Sequence, residues 1–304
     1  MTELLLTKRY MPTTNPEEGS PAETPSRSRR RTWIAGGVAV AVLVGGGIAA
    51  VVQLGGPVIL PGSCIVQGQG QGDAHVRLAP EQASIASTIG AVTVERKLTR
   101  RAATIAIGTG MQESKLRNLA HGDRDSLGVF QQRPSQGWGS PKQLQDPVYA
   151  TRAFYDKLVQ IKGYKTRPLT EVAQDVQRSG FPDAYAQHET EAITLAEAFI
   201  GITPHAVTCK LSNRSTVTPA PTIAAELDRA FGTSSETHGG VVSTKTQTTQ
   251  GAAAIAAWGV AHADAYGITS VSHAGRTWKR TEATWEDDPE GGGQKQSTVI
   301  RTTG

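Results

Sequence analysis

The residues best suited to chemistry lie between positions 113 and 139. Glu113 stands near the end of a helical pattern, before a loop rich in hydrogen-bonding groups that leads into Gly128–Gln132. A carboxylic acid can protonate a glycosidic oxygen, amides can hold sugar hydroxyl and acetamido groups, and a ring such as Trp138 can stack on a sugar face. These residue types and their order predict a polysaccharide-binding cleft with Glu113 as its acid, although Trp138 could equally be a core residue.

The helix that carries Glu113 decides whether this carboxylate can act as an acid. Apolar residues repeat at helical spacing from 98 to 119, and at about 100° per residue Glu113 falls about 60° from Leu116, at the edge of the apolar stripe. Partial burial there would raise the pKa of Glu113 towards the range that a general acid needs at neutral pH. The alternative is an ordinary surface glutamate. The stripe consists of Leu98, Ala102, Ile105, Leu116 and Leu119.

Two further carboxylates follow in the loop, Asp123 and Asp125. A glycosidase that uses two carboxylates needs them about 5–5.5 Å apart for retention or about 6.5–9.5 Å apart for inversion. Asp123 and Asp125 are the nearby candidates for a second carboxylate. The alternative is structural, with both aspartates capping backbone N–H groups and pairing with Arg124 or Arg133.

No metal and no cofactor is expected from the sequence. Asp123–Gly128 imitates the start of a calcium loop, but Leu127 replaces an oxygen ligand and Pro134 stands where the bidentate glutamate belongs. His188 begins a zinc-protease-like helix without the second histidine. A phosphate-binding loop and a dinucleotide fingerprint are also missing from the sequence.

Helical periodicity dominates the surroundings of these residues, and no convincing alternating strand pattern occurs between the two cysteines. The sequence therefore predicts a mainly α fold with a lysozyme-like helical domain over 62–210. Asp146-Pro147 is a typical helix start, with an N-cap followed by proline at the first helical position. The predicted helices cover 80–94, 98–119, 147–163, 169–178 and 183–200.

A 22-residue uncharged segment, 33–54, predicts a transmembrane helix, since it would span about 33 Å. The arginines of the basic tail, 1–32, would keep the N-terminus cytoplasmic by the positive-inside rule, so the protein is expected at the cell membrane as a single-pass protein with extracellular domains. A secretory signal peptide and a lipoprotein cleavage site ending at Cys64 are the alternatives. Because the basic residues are so local, no nucleic-acid surface is expected.

Cys64 and Cys209 are the only cysteines, and both follow the predicted transmembrane helix. Two cysteines in an oxidising compartment usually pair, so we expect a disulfide that joins the two ends of the helical domain. Two unpaired buried thiols are the alternative.

The composition changes after Cys209. Residues 211–250 are rich in Ser, Thr, Gly and Gln, which predicts a flexible linker containing one short helix, 223–231. A small α+β domain is predicted over 251–304, with a helix over 251–266, a strand pair over 268–272 and 276–280, and a last strand over 297–301. This domain is interpreted as a binding or spacing module.

The stretch from about 64 to 209 resembles the lysozyme-like, lytic-transglycosylase-type domains of secreted cell-wall proteins in Gram-positive actinobacteria. The resemblance is carried by Glu113-Ser114 at a helix end and by the turn Gly128–Gln131 after an exposed loop. It implies that Glu113 is the catalytic acid/base. The family's third motif, Tyr-Asn before a glycine, is replaced here by 175–180, so Gln177 would stand in for the Asn amide and Tyr185 for the ring. The implied substrate-binding residues are Ser126, Gly128, Gln131, Gln132, Trp138, Gln177 and Tyr185.

The expected function is therefore cleavage of peptidoglycan by a membrane-anchored lytic transglycosylase or muramidase. Its expected partners are the glycan strands of peptidoglycan, the cytoplasmic membrane and other envelope proteins. The changed third motif keeps an alternative open, a catalytically weak glycan-binding module that positions a cell-envelope or conjugation machine.

Overall fold

The computed structural model describes residues 60–69, 75–177, 182–212, 217–289 and 294–303. These residues belong to one compact unit that is 46% helical and 20% strand, with two antiparallel sheets. The prediction of a mainly α fold is therefore wrong. The helical part was identified correctly in outline, but the chain is a mixed α and β protein.

The helices lie close to their predicted positions. They are α1 (Pro80–Glu95), α2 (Arg100–Ser114), α3 (Pro141–Leu144), α4 (Pro147–Leu158), α5 (Leu169–Gln177), α6 (Glu189–Phe199), α7 (Ala220–Phe231), α8 (Thr249–Ala261) and α9 (Ala263–Tyr266). Two 3₁₀ helices cover Pro134–Gln136 and Pro182–His188. The predicted start of α4 is confirmed, since the Asp146 side chain accepts a hydrogen bond from the Val148 amide at 3.0 Å.

A three-stranded sheet, absent from the prediction, holds the ends of the helical part together. It consists of β1 (Ser63–Gln67), β2 (His75–Leu78) and β3 (Val207–Lys210), in the order β2-β1-β3. Cys64 on β1 lies directly opposite Cys209 on β3, and the two form the predicted disulfide across the strand pair. The expected link between the two ends of the helical part is thus confirmed.

A six-stranded antiparallel sheet follows in the C-terminal part. Its strands are β4 (Ser235–His238), β5 (Val241–Lys245), β6 (Ile268–His273), β7 (Arg276–Lys279), β8 (Thr284–Asp287) and β9 (Ser297–Thr302), in the order β4-β5-β9-β6-β7-β8. The strand pair β6–β7 and the last strand β9 confirm the predicted strands. The almost wholly buried helix α8 packs on this sheet, and Gly259 allows the close approach because a Cβ there would lie 3.0 Å from Val271.

The predicted flexible linker, 211–250, is instead part of the fold. It contributes α7 and the hairpin β4–β5, and β5 pairs with β9, one of the two central strands of the large sheet. The C-terminal part also bonds directly to β3, because Trp285 Nε1 donates to the Val207 carbonyl at 2.8 Å and Trp278 Nε1 to Thr208 Oγ1 at 3.2 Å. The helices α1 and α8 pack against each other. The segment 62–210 is therefore not packed as a separate body.

The predicted transmembrane helix, 33–54, and the basic tail, 1–32, lie outside the described residues. Among the helices that the structure describes, none is both long and apolar enough to cross a membrane. The predicted single-pass localisation is corrected accordingly, because nothing in the described chain supports it.

Candidate active site

Glu113 occupies the last turn of α2, which ends at Ser114 and not at Leu119 as predicted. Lys115 and Leu116 both adopt left-handed backbone conformations, with φ of 56° and 55°. The amide of Leu116 bonds back to the Gly110 carbonyl at 2.9 Å, which closes the helix end. This early end leaves the half-buried Glu113 side chain beside the loop that follows the helix.

Two side chains from distant parts of the sequence bind the Glu113 carboxylate. Tyr185, in the 3₁₀ helix after α5, donates its hydroxyl to Glu113 Oε1 at 2.6 Å. Gln177, the last residue of α5, also forms a side-chain hydrogen bond with Glu113. The structure therefore brings together the three residues that the resemblance had singled out as acid, ring and amide.

Burial raises the pKa of Glu113 above its ordinary value, because the charged form loses contact with water. The hydrogen bonds from Tyr185 and Gln177 act in the opposite direction, since both donors favour the carboxylate. The net effect is a raised pKa. A carboxyl in this environment keeps its proton to a higher pH than an exposed glutamate does. Once it has lost the proton, the two hydrogen bonds stabilise the carboxylate, so the group can act first as an acid and then as a base.

Gln177 links the carboxylate to the loop after α2. Its Nε2 donates to the Phe130 carbonyl at 2.6 Å. The Phe130 ring is fully buried and stacks on Phe154 of α4, with 4.6 Å between ring centroids. The amide that contacts Glu113 is thus fixed to a rigid part of the core.

Gly128 allows the loop to close against its neighbours. Its φ is +73°, its amide donates to the Leu119 carbonyl at 2.8 Å, and a Cβ at this position would lie 2.3 Å from the Leu144 carbonyl oxygen. Only glycine fits both constraints. Gly128 therefore shapes the loop through its backbone, without a side chain that could contact a ligand.

Gln131 packs over Gly122 at the start of the loop. A Cβ on Gly122 would fall only 1.7 Å from Gln131 Oε1, and Gln131 Nε2 donates to the Gly128 carbonyl at 3.1 Å. The Gln131 side chain is half-buried. Its amide braces the loop in this structure, and its predicted contact with substrate remains a prediction.

Two other loop residues lie in the interior. Ser126 is 6% exposed and Gln132 is 2% exposed. The Gln132 amide donates to the Ala150 carbonyl at 3.2 Å, and its backbone pairs with that of Leu127 in both directions. In these positions Ser126 and Gln132 support the loop, so the structure does not bring them to the cleft as the resemblance implied.

Trp138 combines the two alternatives that the sequence left open. One part of its side chain packs against the core, and another lines a cavity of about 200 Å³ that Gln177 also lines. Lys157 and Gln160, at the end of α4 and just after it, are further lining residues that sequence reasoning missed. The polar character of these two residues at the end of an amphipathic helix was the only signal in the sequence.

The two aspartates of the loop differ sharply from Glu113. Asp125 accepts hydrogen bonds from Arg133 Nε at 2.7 Å and from the backbone and hydroxyl of Ser135 at 2.8 and 3.0 Å. These donors, Arg133 foremost, hold the pKa of Asp125 well below its ordinary value. Asp123 is 90% exposed, and its nearest cation is Arg124 at 3.9 Å. The structural alternative therefore describes Asp125 best.

In the described parts of the chain, no three His, Cys, Asp or Glu residues cluster closely enough to hold a metal ion. Neither a protein-family model nor a curated protein matches the chain. A function has to be inferred from the residues and their geometry.

Proposed function

We propose that this protein cleaves the glycan strands of peptidoglycan as a lytic transglycosylase, with Glu113 as the single general acid and base. The proposal depends on the surroundings of Glu113. Its half-buried carboxylate accepts a hydrogen bond from the Tyr185 hydroxyl at 2.6 Å, and its pKa is raised. The disulfide between Cys64 and Cys209 supports the assignment, since such bonds persist in oxidising compartments outside the cytoplasm.

The first step is proton transfer from Glu113. The protonated carboxyl gives its proton to the oxygen that bridges C1 of N-acetylmuramic acid to the next sugar, and the C1–O bond breaks with positive charge developing at C1. The departing sugar leaves with a new hydroxyl group. Burial favours the protonated acid beforehand, and the donors on Tyr185 and Gln177 stabilise the carboxylate that forms.

The second step uses the same carboxylate as a base. Glu113 removes the proton from the C6 hydroxyl of the N-acetylmuramic acid, and O6 bonds to C1 to close a 1,6-anhydro ring. The proton returns to Glu113 and no water is consumed. One carboxylate suffices for this route, which agrees with Asp125 being held by Arg133 and Ser135.

The full-length chain tests the proposal directly. Incubated with purified sacculi, it should release muropeptides that carry 1,6-anhydro ends, as measured by mass spectrometry. Glu113→Gln should lower the release by about 10²–10⁴-fold. Glu81→Gln, an exposed glutamate on the first turn of α1, is the matched control and should keep full activity.

The products separate the two chemical routes. Reducing ends in place of anhydro ends would assign the protein as a muramidase and require a second carboxylate, for which Asp123 is the remaining loop candidate. Release that survives Glu113→Gln would remove Glu113 from the mechanism. A folded chain that neither binds nor cleaves sacculi would overturn the proposal.

One observation favours a second candidate, a catalytically weak module that binds glycan strands and positions other envelope proteins. Gln177 replaces the asparagine of the resembled third motif, and its amide also donates to the Phe130 carbonyl. Fewer donors are then free to orient the sugar. Tight binding to sacculi with no released product from the wild-type chain would select this alternative.

A further inference from the structure

The cavity beside Gln177 has a chemical character of its own. Its apolar lining comes from Trp138, Ile161 and Val176, and its other lining residues are polar. Gln177 lines this cavity and also forms a side-chain hydrogen bond with Glu113, so this one residue links the cavity to the candidate acid. The polar lining residues are Gln136, Lys157, Gln160, Asp175 and Gln177.

The charged residues that line the cavity, Asp175 and Lys157, differ in how they are paired within the described parts of the chain. Asp175 accepts a hydrogen bond from Arg167 Nη1 at 2.8 Å, and the same guanidinium also pairs with Glu171 at 3.2 Å. Lys157 is exposed, and in the described parts of the chain no carboxylate lies within 4 Å of its ammonium group. Asp175 is thus paired with Arg167, whereas Lys157 forms no ion pair with any residue that the structure describes.

We propose that this cavity selects muramic acid within the glycan strand by binding a carboxylate attached to its C3 oxygen, with Lys157 as the ion partner. The inference deepens the proposed function and rests on it. The carboxylate is either the free lactyl group of a peptide-free strand or an acidic group of the stem peptide. Trp138 provides an apolar face for a sugar ring, and the amides of Gln136 and Gln160 can bond to its acetamido and hydroxyl groups.

This arrangement distinguishes peptidoglycan from polymers of N-acetylglucosamine. Both present acetamido groups and sugar faces, so Trp138 and the three glutamines would accept either of them. Only the muramic residue carries a carboxylate-bearing substituent that a cation can recognise. Lys157 therefore contributes specificity, while Trp138 contributes affinity for both polymers.

The test measures binding to the full-length chain with Glu113→Gln, so that no ligand is consumed. Three oligosaccharides of equal length serve as probes: a muramic strand with free lactyl groups, the same strand with stem peptides, and a chitin oligosaccharide. Adding Lys157→Met should weaken binding of a carboxylate-bearing strand about fivefold, as expected for one exposed ion pair, and leave chitin binding unchanged. Lys142→Met, an exposed lysine on α3 outside the cavity, is the matched control.

The three probes identify the source of the carboxylate. A loss on the peptide-free strand assigns the lactyl group, and a loss confined to the peptide-bearing strand assigns the stem peptide. The inference is overturned if the Lys157→Met and Lys142→Met variants bind each of the three probes with equal affinity. If the Lys157→Met variant in that case still binds the muramic strands as tightly as the protein with Lys157, the proposed function stands. If no glycan binds at all, both proposals fail.

Discussion

Glu113 and Asp125 are two carboxylates only twelve residues apart in sequence, with opposite surroundings. Glu113 is half-buried, and among the residues that the structure describes its carboxylate is bound by two neutral donors, the Tyr185 hydroxyl and the Gln177 amide. Asp125 is more exposed and is bound by the Arg133 guanidinium and by Ser135. Burial raises the pKa of Glu113, whereas the hydrogen bonds from Arg133 and Ser135 lower the pKa of Asp125. The comparison shows that the surroundings of a carboxyl group decide whether it can act as a general acid or stays charged and stabilises the structure. Residue type and closeness in sequence do not decide this.

The largest expected difference between these carboxylates is in turnover. Glu113→Gln removes the transferable proton and should reduce release of glycan fragments by about 10²–10⁴-fold. Asp125→Asn should reduce it by less than about tenfold, through loosening of the loop that Asp125 braces. The measurement is the initial rate on sacculi for both variants at equal concentrations of folded protein.

Similar losses from the two substitutions would contradict the contrast. A two-carboxylate mechanism in which Asp125 is a nucleophile or a base predicts that outcome. Asp123→Asn is the third variant of this comparison. Because Asp123 is 90% exposed, the substitution should leave the initial rate on sacculi unchanged.

A smaller effect is expected from Tyr185→Phe. The hydroxyl lowers the pKa of Glu113, so its removal should raise that pKa further, and activity should persist to higher pH before the acid loses its proton. Loss of a hydrogen bond to a charged group should also reduce the optimal rate about tenfold. A pH–rate profile of the variant and the wild type measures both changes. If the high-pH limb of the profile moved to lower pH in Tyr185→Phe, the role assigned to the Tyr185 hydroxyl would be disproved.

Gln177→Met should act in the same direction but less strongly, because the Gln177 hydrogen bond affects the Glu113 pKa less than that of Tyr185. We expect a rate reduction of about three- to fivefold. The loss of the bond to the Phe130 carbonyl adds a structural effect, which thermal unfolding of the variant measures separately. A larger pH shift than that of Tyr185→Phe would reverse the ranking of the two donors.

The position of Glu113 could be predicted from sequence because helix phase is local. Its place at the edge of the apolar stripe agrees with its half-buried side chain. The end of α2 could not be predicted, since Leu116 continues the apolar stripe in sequence yet leaves the helix with φ of 55°. The hydrogen bond between Glu113 and Tyr185 spans 72 residues, so it depends on how α2 and the later segment pack.

The sheets escaped prediction for a related reason. The strand β1 is central in its sheet, and Cys64, Ile65 and Val66 are all buried, so it lacks the alternation of a half-exposed strand. The hairpin β4–β5 is polar enough to resemble a linker, and Val242 and Thr244 are its only fully buried residues among those described. These strands are defined by pairing with distant segments, which local composition does not contain.

The final contrast concerns stability, and here the two carboxylates should differ in sign. The folded-state pKa of Glu113 lies above its ordinary value of 4.5, so the carboxyl favours folding below that pH and the contribution is lost as the pH rises through the folded pKa. Glu113→Gln should therefore raise the thermal midpoint at pH 7, and the gain should vanish towards pH 4. The folded-state pKa of Asp125 lies below 3.8, so its contribution is present above that pH and is lost on acidification. Asp125→Asn should lower the midpoint at pH 7, and the difference should shrink as the pH falls below 3.8. Circular dichroism melts at pH 7, at pH 4 and below pH 3.8 provide the measurement, and shifts of the same sign at pH 7 would show that the two carboxylates do not differ in the way proposed.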